Sequence, residues 1–285
     1  MAGTASSVAS LGTAWVDNVF DQAAAYFRTN SVMANLVFKF GDREGDESRT
    51  STTYNQLTAG TVAETSDASY QEFTVSAVAT LTPDEIVAAG RLTDRRVETE
   101  GRYVIQSLAE ELGNAAVDKV ESDLLADMGS LTGGTVGTGG TADPMTWGKL
   151  LAARTRLAAK AAGPYIAVIH ENAWFQLAKS VSPAVTASAA PESLKDKVSD
   201  SYYVGSYGDL AIYTTTRLTA GTAVTQGVFA SDALAIDWRR DFRLEEQRSA
   251  VGRASDLVLS AKYGHGVWRP TKGIKVISDA SLPTG

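Results

Sequence analysis

The stretch Asp94–Met128, DRRVETEGRYVIQSLAEELGNAAVDKVESDLLADM, predicts a single long helix. Apolar residues recur there at steps of three and four, which places them on one face: Val104, Ile105, Leu108, Leu112, Ala115, Ala116, Val120, Leu124 and Met128. The other face carries Arg102, Glu110, Glu111, Asp118, Glu121 and Asp127. Gly129 then follows, where a left-handed residue commonly ends a helix. A helix roughly 50 Å long needs a long partner, so we expect the rest of the chain to lie along it.

The composition is that of a folded protein with a sizeable core, with 285 residues, 44% of them hydrophobic and 21% charged. A net charge of -7 disfavours a general nucleic-acid binder, because phosphate neutralisation requires a basic patch. The chain has no cysteine, which excludes disulfides and thiolate zinc sites. The longest apolar stretch, Tyr165–Ile169, is too short to cross a membrane, and residues 1–12 do not form a secretory signal. We therefore expect a cytoplasmic origin and no membrane contact.

Before the long helix, the chain predicts an arm and a hairpin. Residues 1–12 read as a loose arm, residues 15–27 as a short amphipathic helix, and Val32–Phe40 as an extended segment. The Thr-rich stretch Thr50–Thr80 alternates between polar and mildly apolar residues at both ends, which indicates a long hairpin. An isolated two-stranded ribbon is marginally stable in water, so this hairpin should lie on another surface, such as that of a second copy.

Between the hairpin and the long helix, Thr82-Pro83-Asp84-Glu85 has the residues of a helix N-terminus and predicts a short helix ending at Gly90. After the long helix, the composition of Gly129–Asp143 is typical of a flexible linker. Its glycines follow a helix rather than a strand, which disfavours a phosphate-binding loop.

The second half predicts a helix-strand-helix layer followed by strands. Asp143-Pro144 should cap a helix that ends before Gly163-Pro164, Tyr165–Ile169 is a buried strand, and Glu171–Lys179 is a helix. Two strands then flank a glycine-bearing turn at residues 205–209. From Thr225 onward, alternating residues predict a terminal sheet, and the long helix is its expected partner.

No pattern in the sequence indicates catalysis or metal binding. His170 reads as a residue at a strand-to-helix turn and His265 as a loop residue, and no Gly-x-Ser-x-Gly elbow is present. The carboxylate pairs are more simply solvated surface charges, at Asp84-Glu85, Glu110-Glu111 and Glu245-Glu246. Asp237, Asp241, Asp256 and the histidines lack metal-ligand spacing. We expect no enzyme, no cofactor and no metal.

The succession of elements resembles the major capsid proteins of tailed double-stranded-DNA bacteriophages, with the Hong Kong 97-like coat fold. The local matches that carry the resemblance are LTAGTVAETSDASYQEFTVSAVATLTPDEI (57–86), PYIAVIHENAWFQL (164–177), VGSYGDLAIYTTTRL (204–218) and VGRASDLVLSAKYGHGVWRPTKGIKVI (251–277). The resemblance implies an α+β fold with an N-terminal arm (1–45), an extended loop (46–81), a peripheral domain with the spine helix (82–130 and 225–285) and an axial domain (131–224).

The resemblance also implies a function. The chain would assemble into hexamers and pentamers of an icosahedral head, in a virion capsid built in the host cytoplasm, and enclose double-stranded DNA without sequence-specific binding. Its extended loop would lie on the adjacent subunit through Tyr54, Leu57, Val62, Glu64, Tyr70 and Phe73. A portal and a possible decoration protein are implied partners, and the short arm implies a separate scaffolding protein.

One departure from some relatives concerns cross-linking. Those relatives join the extended loop to a neighbour through a lysine, whereas no lysine occurs here between Lys39 and Lys119. We therefore expect non-covalent contacts or a cementing protein to stabilise the shell.

Three alternatives remain open at this point. Encapsulins, which are bacterial compartments enclosing enzymes, share the fold. A small α/β hydrolase using His170 belongs to a different class, as does a tail or neck protein that forms rings or tubes.

Overall fold

The long predicted helix forms as two consecutive helices, α3 (Asp94–Glu100) and α4 (Arg102–Asp127). The computed structural model describes residues 18–27, 31–54, 57–61, 67, 70–100, 102–181, 203–207 and 209–282. A 3-10 turn at Met128–Ser130 follows α4, and Gly129 does not adopt a positive φ, so the predicted left-handed end is wrong. Glu121 is buried rather than on the charged face, for a reason given below.

The remaining helices are short. Residues 18–27 form α1, as the amphipathic pattern predicted, with Val19 and Ala23 buried. The predicted extended segment at Val32–Phe40 is partly wrong, because it begins with a helical turn. The helices of this group are α2 (Met33–Leu36), α5 (Trp147–Ala158) and α6 (Glu171–Val181).

The strands form three sheets. Their bounds are β1 (Phe38–Phe40), β2 (Arg49–Tyr54), β3 (Val75–Leu81), β4 (Pro83–Thr93), β5 (Thr135–Val136), β6 (Tyr165–His170), β7 (Tyr203–Tyr207), β8 (Leu210–Thr215), β9 (Val224–Ala230), β10 (Leu234–Ser249), β11 (Ala254–Val267) and β12 (Gly273–Ser278). The orders are β1-β10-β11-β4, β5-β12-β9-β6-β8-β7 and β2-β3. The predicted single terminal sheet is therefore divided: β10 and β11 belong to the first sheet, and β9 and β12 to the second.

The helix predicted at Pro83–Gly90 is wrong, because this segment is the strand β4. It pairs with β11 in continuous antiparallel register from Thr93 opposite Ala254 to Pro83 opposite Gly264. Pro83 occupies the first position of the strand, where a missing N–H is tolerated. The helix-start pattern is a local signal, and here tertiary pairing overrides it.

The helix α4 packs against both large sheets. Its N-terminal half buries Ala109, Leu112 and Ala116 against Leu257 and Leu259 of β11. Its C-terminal half joins a second cluster that includes side chains from both sheets: Val120, Leu124, Leu125, Met128, Phe229, Ile236 and Tyr263. The expectation that the long helix covers the terminal strands is confirmed.

A third core lies between the six-stranded sheet and the helices α5 and α6. Its members include Leu150, Leu157, Ile169, Leu177, Val228 and Ile274. Thr146, rather than Asp143, caps α5, and its Oγ1 accepts a hydrogen bond from the Lys149 N–H at 3.3 Å. Asp143 instead accepts the backbone N–H groups of Thr138 and Gly139.

The predicted linker at Gly129–Asp143 is not a free linker. Its residues Thr135 and Val136 form β5, which pairs in parallel with Lys275 and Val276 of β12. A Cβ atom on Gly137, whose φ is +84°, would lie 2.1 Å from the carbonyl oxygen of Ile277. Glycine is required here by close backbone approach and by a positive φ, not by flexibility.

Candidate functional site

The extended loop forms a hairpin that has little core of its own. Its strands pair antiparallel from Arg49 opposite Leu81 to Thr53 opposite Ala77, with an irregularity before Tyr54. Further out, the Gln71 side chain bridges to Thr58: Oε1 accepts the Thr58 N–H at 2.9 Å, and Nε2 donates to Thr58 Oγ1 at 3.1 Å. The predicted hairpin is thus confirmed, and hydrogen bonding continues beyond its strands.

Exposed aromatic and aliphatic side chains lie along this hairpin. The rings of Tyr54 and Phe73 stack with centroids 4.8 Å apart and planes 8° apart. The exposed fractions are 54% for Tyr54, 62% for Phe73, 53% for Leu57 and 99% for Tyr70. Burying such rings would contribute stability that the isolated chain does not gain. We name Tyr54, Leu57, Tyr70 and Phe73 the loop patch.

The structure thus brings together one pair of the residues predicted to contact a neighbour, Tyr54 and Phe73. Leu57 and Tyr70 are exposed on the same hairpin. Val62 and Glu64, which were also predicted to contact a neighbour, lie outside the described residues.

A buried ionic cluster fixes the base of the hairpin to the four-stranded sheet. Arg49, the first residue of β2, donates from Nε to Asp237 Oδ2 of β10 at 2.8 Å, and its other end pairs with Asp42. Arg239 Nη2 also reaches Asp237 Oδ2 at 2.8 Å and donates to the backbone oxygen of Glu47 at 2.8 Å. The Arg49 guanidinium lies 4.2 Å from the ring centroid of Phe40. We name Asp42, Arg49, Asp237 and Arg239 the base cluster.

The base cluster was not found from the sequence. Arg49 and Asp237 are separated by 188 residues, so no local spacing reports the pair. The available signal was the position of Asp237 directly after the apolar run Ala233–Ile236 and before Trp238. A charged residue at such a position is seldom buried unless it is paired.

A second buried carboxylate attaches the N-terminal segment to α4. Glu121 Oε1 accepts the Met33 N–H at 2.8 Å and the Ser31 hydroxyl at 2.9 Å, while Oε2 lies 3.0 Å from the same Met33 nitrogen. The Ala34 N–H also reaches Oε1, at 3.3 Å. Glu121 therefore satisfies the free N–H groups at the start of α2, which explains its burial on a face predicted to be solvated.

The prediction that His265 lies in a loop is wrong, since it lies in β11 beneath the end of α4. Its Nδ1 lies 2.8 Å from Asp127 Oδ2, and its Nε2 lies 3.7 Å from Asp123 Oδ2. Tyr263 donates its hydroxyl to the same Asp123 oxygen at 2.7 Å. The hydrogen bond that Asp127 accepts from the His265 ring is the largest effect on this histidine and raises its pKa.

The other candidate groups do not form an active site among the described residues. His170 ends β6 at the strand-to-helix turn, as predicted, and its Nδ1 accepts the Asn172 N–H at 2.9 Å. Burial lowers the pKa of His170. No group of three or more histidine and carboxylate side chains in the described part of the chain is placed to hold a metal ion. No helix described here is long and apolar enough to span a membrane.

The charged pairs predicted to lie at the surface do so. Glu110 and Glu111 are exposed on α4, and Arg243 pairs with Glu245 on β10 at 2.9 Å. Asp84 and Glu85 are exposed too, although on a strand rather than a helix.

Residues 91–276 match the model of a protein family described as phage capsid protein. The chain belongs to this phage capsid protein family. The matched region contains the helices α3 to α6 and both large sheets, except β1, most of β4 and the last residues of β12. No curated protein matches the chain.

Solved structures show that the capsid protein shares its fold with shell proteins over most of its length. A structure of Mycobacterium phage Che8 is 16% identical, with a TM-score of 0.64 over 87% of this chain and 91% of that chain. The capsid of Ralstonia phage GP4 is 7% identical, with a TM-score of 0.68 over 88% of both chains. The virus-like particle from Pyrococcus furiosus is 14% identical, with a TM-score of 0.65 over 91% of this chain and 98% of that chain.

These findings confirm the Hong Kong 97-like coat fold and the assignment as a structural capsid protein of a bacteriophage. The capsid protein is thus a component of the virion shell, which is a multi-subunit assembly. The hydrolase alternative loses its basis, since neither the family nor the surroundings of His170 support it.

Proposed function

We propose that the protein tiles an icosahedral phage head as hexamers and pentamers, and that the head encloses double-stranded DNA without sequence-specific contacts. The loop patch is the observation that carries this proposal, because it exposes a stacked aromatic pair on a hairpin that its own chain leaves uncovered. A shell subunit that buries such a surface on its neighbour gains stability only on assembly.

The extended loop is proposed to lie over the adjacent subunit through Tyr54, Leu57, Val62, Glu64, Tyr70 and Phe73. From Thr50 to Gly90 the chain has no Lys or Arg, whereas Glu64, Asp67, Glu72, Asp84 and Glu85 are acidic. The receiving surface should therefore combine apolar area with positive charge. The contact is non-covalent on this proposal, because the loop has no lysine.

The domain limits given above are part of the proposal, with one refinement. The strands β9 and β12, from the segment 225–285, share a sheet with β6 and β8 from the segment 131–224. The peripheral and axial domains are therefore proposed to meet within the six-stranded sheet. Assembly is proposed to take place in the host cytoplasm with a separate scaffolding protein, a portal and a possible decoration protein.

Negative-stain electron microscopy and sedimentation velocity on one sample test the proposal. Closed polyhedral particles or rings of five and six subunits are expected. A monodisperse monomer at high concentration, also in the presence of a scaffold or crowding agent, would contradict it.

Deleting residues 58–69 tests the role of the loop. The shortened subunit is expected to keep the melting temperature of the parent, because the deletion lies beyond the strands β2 and β3. It should fail to close shells. Normal shells from this variant would show that residues 58–69 are not needed for the contact between subunits.

The encapsulin-type compartment is a second candidate, favoured by the similarity to the Pyrococcus furiosus particle. The two candidates predict different contents. Particles purified from the native source should contain double-stranded DNA for a phage head and a protein cargo for a compartment, which nuclease-protected DNA and mass spectrometry would distinguish.

A further inference from the structure

The strand β4 is the outer strand of the four-stranded sheet. Its eleven residues pair with β11 on one side, and no strand in the described part of the chain pairs with its other side. Sheet edges of this length offer a row of backbone N–H and C=O groups to another chain. Natural sheets often protect such edges, and here Pro83 lacks an N–H and the Glu85 N–H donates to Asp84 Oδ1 at 2.8 Å, while no described residue gives comparable protection from Ile86 onward.

The two faces of β4 differ sharply. Ile86, Ala88, Gly90 and Leu92 point towards α4, and a Cβ atom on Gly90 would lie 2.5 Å from Leu108 Cδ1. The opposite face is exposed and consists of Glu85, Val87, Ala89 and Arg91. Val87 is 59% exposed, which is unusual for a large apolar side chain at the centre of a strand.

The helix α4 does not close this edge. It packs on one face of β4, where Leu108 lies against Gly90, and two open clefts of about 260 and 340 Å³ remain between the two elements. The first is lined by Arg91 and Tyr103 among others, and the second by Val87 and Ala115. Since α4 covers a face of β4 and not its edge, and no described strand pairs with that edge, a strand can pair with it.

We propose that β4 pairs antiparallel with β4 of a second copy of this chain, about a two-fold axis at Ala88. The inference rests on the proposed function, because it supplies a contact that a shell of rings needs. Head-to-tail contacts close each ring, and a separate contact must join the rings to one another. At a two-fold axis that contact must be self-complementary.

Charge selects this register. Residues directly opposite each other in an antiparallel pair lie on the same face of the sheet. The α4 helices of the two copies therefore lie on the same side of the joined sheet only if opposite residue numbers are both odd or both even. With the axis at Ala88, Glu85 lies opposite the partner's Arg91, and Val87 opposite the partner's Ala89. Ile86 lies opposite the partner's Gly90, so a large side chain meets the smallest one.

The charges on the neighbouring strand extend the same pattern. Asp256 lies opposite Arg91 in β11, and Arg91 donates to it from Nε at 2.6 Å and from Nη2 at 2.8 Å. Glu85 pairs with Arg240 of β10, the strand beyond β11. The proposed junction therefore gives a row of alternating charges, read as Asp256, Arg91, the partner's Glu85 and the partner's Arg240.

Registers shifted by two residues along the pair lose this match. An axis at Val87 places Glu85 opposite the partner's Ala89. An axis at Ala89 places Glu85 opposite the partner's Thr93 and Val87 opposite the partner's Arg91. Neither shifted register pairs Glu85 with Arg91, and opposite charges facing each other are stabilising, which leaves the axis at Ala88 as the favoured arrangement.

Engineered cysteines test this register directly, because the natural chain has none. Opposite residues of an antiparallel pair have Cα atoms about 4.5–5.5 Å apart, within the range that a disulfide spans. The double variant Val87→Cys with Ala89→Cys should form covalent dimers after mild oxidation of assembled particles. Both positions are exposed, so neither substitution disturbs the core.

The single variants are the matched controls. Val87→Cys alone and Ala89→Cys alone should stay monomeric on non-reducing gels. In each single variant, the new cysteine lies opposite a residue of the partner that is not a cysteine. Particles assembled from a mixture of the two single variants should again give dimers. The dimers should not extend into ladders, because a two-fold contact closes after two chains.

Each other outcome overturns the inference in a distinct way. Shells without dimers, or with crosslinked ladders, would show that β4 is free or is covered by another segment, such as a neighbour's extended loop or N-terminal arm, and the capsid proposal would stand. Failure of the unsubstituted chain to form rings or shells would overturn the capsid proposal and this inference together.

Discussion

Arg49 and Asp237 form a buried ion pair between the base of the extended loop and the centre of a sheet, with Nε and Oδ2 2.8 Å apart. Both side chains are almost inaccessible to solvent, and Arg239 shares the same carboxylate oxygen. Removing this carboxylate would leave the buried Arg239 without its counter-ion and Arg49 with Asp42 alone.

We therefore expect Asp237→Ala to lower the free energy of unfolding by about 3–5 kcal/mol, the usual effect of breaking a buried ion pair. Chemical denaturation of the unassembled subunit measures this. The control is Asp256→Ala, which removes the exposed pair with Arg91 and should cost at most about 1 kcal/mol. Equal losses from the two variants would mean that the base cluster does not hold the loop.

Glu121 is expected to matter through the N-terminal segment rather than through α4 itself. In Glu121→Gln, an NH2 donor replaces one of the two carboxylate oxygens that together accept the N–H groups of Met33 and Ala34. We expect a loss of about 1–3 kcal/mol, together with faster hydrogen exchange at Met33 and Ala34. The control Glu111→Gln, on the exposed face of the same helix, should have no such effect.

The aromatic stack of the loop patch is expected to act in assembly and not in folding. Replacing Phe73 by Ser removes an exposed ring, so the stability of the subunit should change by less than about 0.5 kcal/mol. The yield of closed particles in electron microscopy should fall strongly. Phe175→Ser, an exposed phenylalanine on α6, is the matched control and should assemble normally. Normal assembly of the Phe73 variant would show that the stacked rings of Tyr54 and Phe73 are not part of the contact between subunits.

The pair between His265 and Asp127 predicts that its contribution to the stability of the fold decreases as the pH rises. The pKa of His265 is raised in the folded chain, so the pair stabilises the fold fully below the unfolded value of about 6.5. That stabilisation is lost as the pH rises through the folded pKa. The charges facing the ring are Asp127 and Asp123, with Lys119 opposing them.

The measurement compares melting temperatures of the unsubstituted chain and His265→Gln at pH 5.5 and pH 8.5. The variant should be less stable than the parent at the lower pH and closer to it at the higher pH. The comparison between variants cancels the titration of the other carboxylates. A constant difference at both pH values would contradict the role of the charged pair.

The elements with strong periodicity were predictable from the sequence. Local patterns predict the buried strand Tyr165–His170 and the long helix through Asp127. The strand is a continuous run of apolar residues before His170, and the helix has apolar residues at steps of three and four along its length. The hairpin at Arg49–Leu81 follows from alternation and a long turn region. The contact residues of the extended loop were proposed from resemblance. Four of them are exposed, and their contact with a neighbouring subunit stays a prediction.

The features that the sequence did not reveal depend on contacts distant in the chain. The segment Pro83–Thr93 has a helix-start pattern and becomes a strand because β11 pairs with all of it. The burial of Glu121 depends on the N–H groups of residues 33 and 34, which lie nearly ninety positions away. The glycines of 133–137 look like a linker until the backbone of β12 is placed against them. In each case the deciding partner lies on another element.

The packing of α4 on both large sheets determines where this molecule can bend. Both sheets pack on the same helix, α4. Neither sheet can therefore move relative to the other without breaking its contacts with that helix. The extended loop is joined to this body through the base cluster and the end of β3. The N-terminal segment is held through Glu121, through the pairing of β1 with β10 and through the burial of Met33. Differences in curvature between positions in a shell would therefore be absorbed at these two attachments, while the body itself is repeated unchanged.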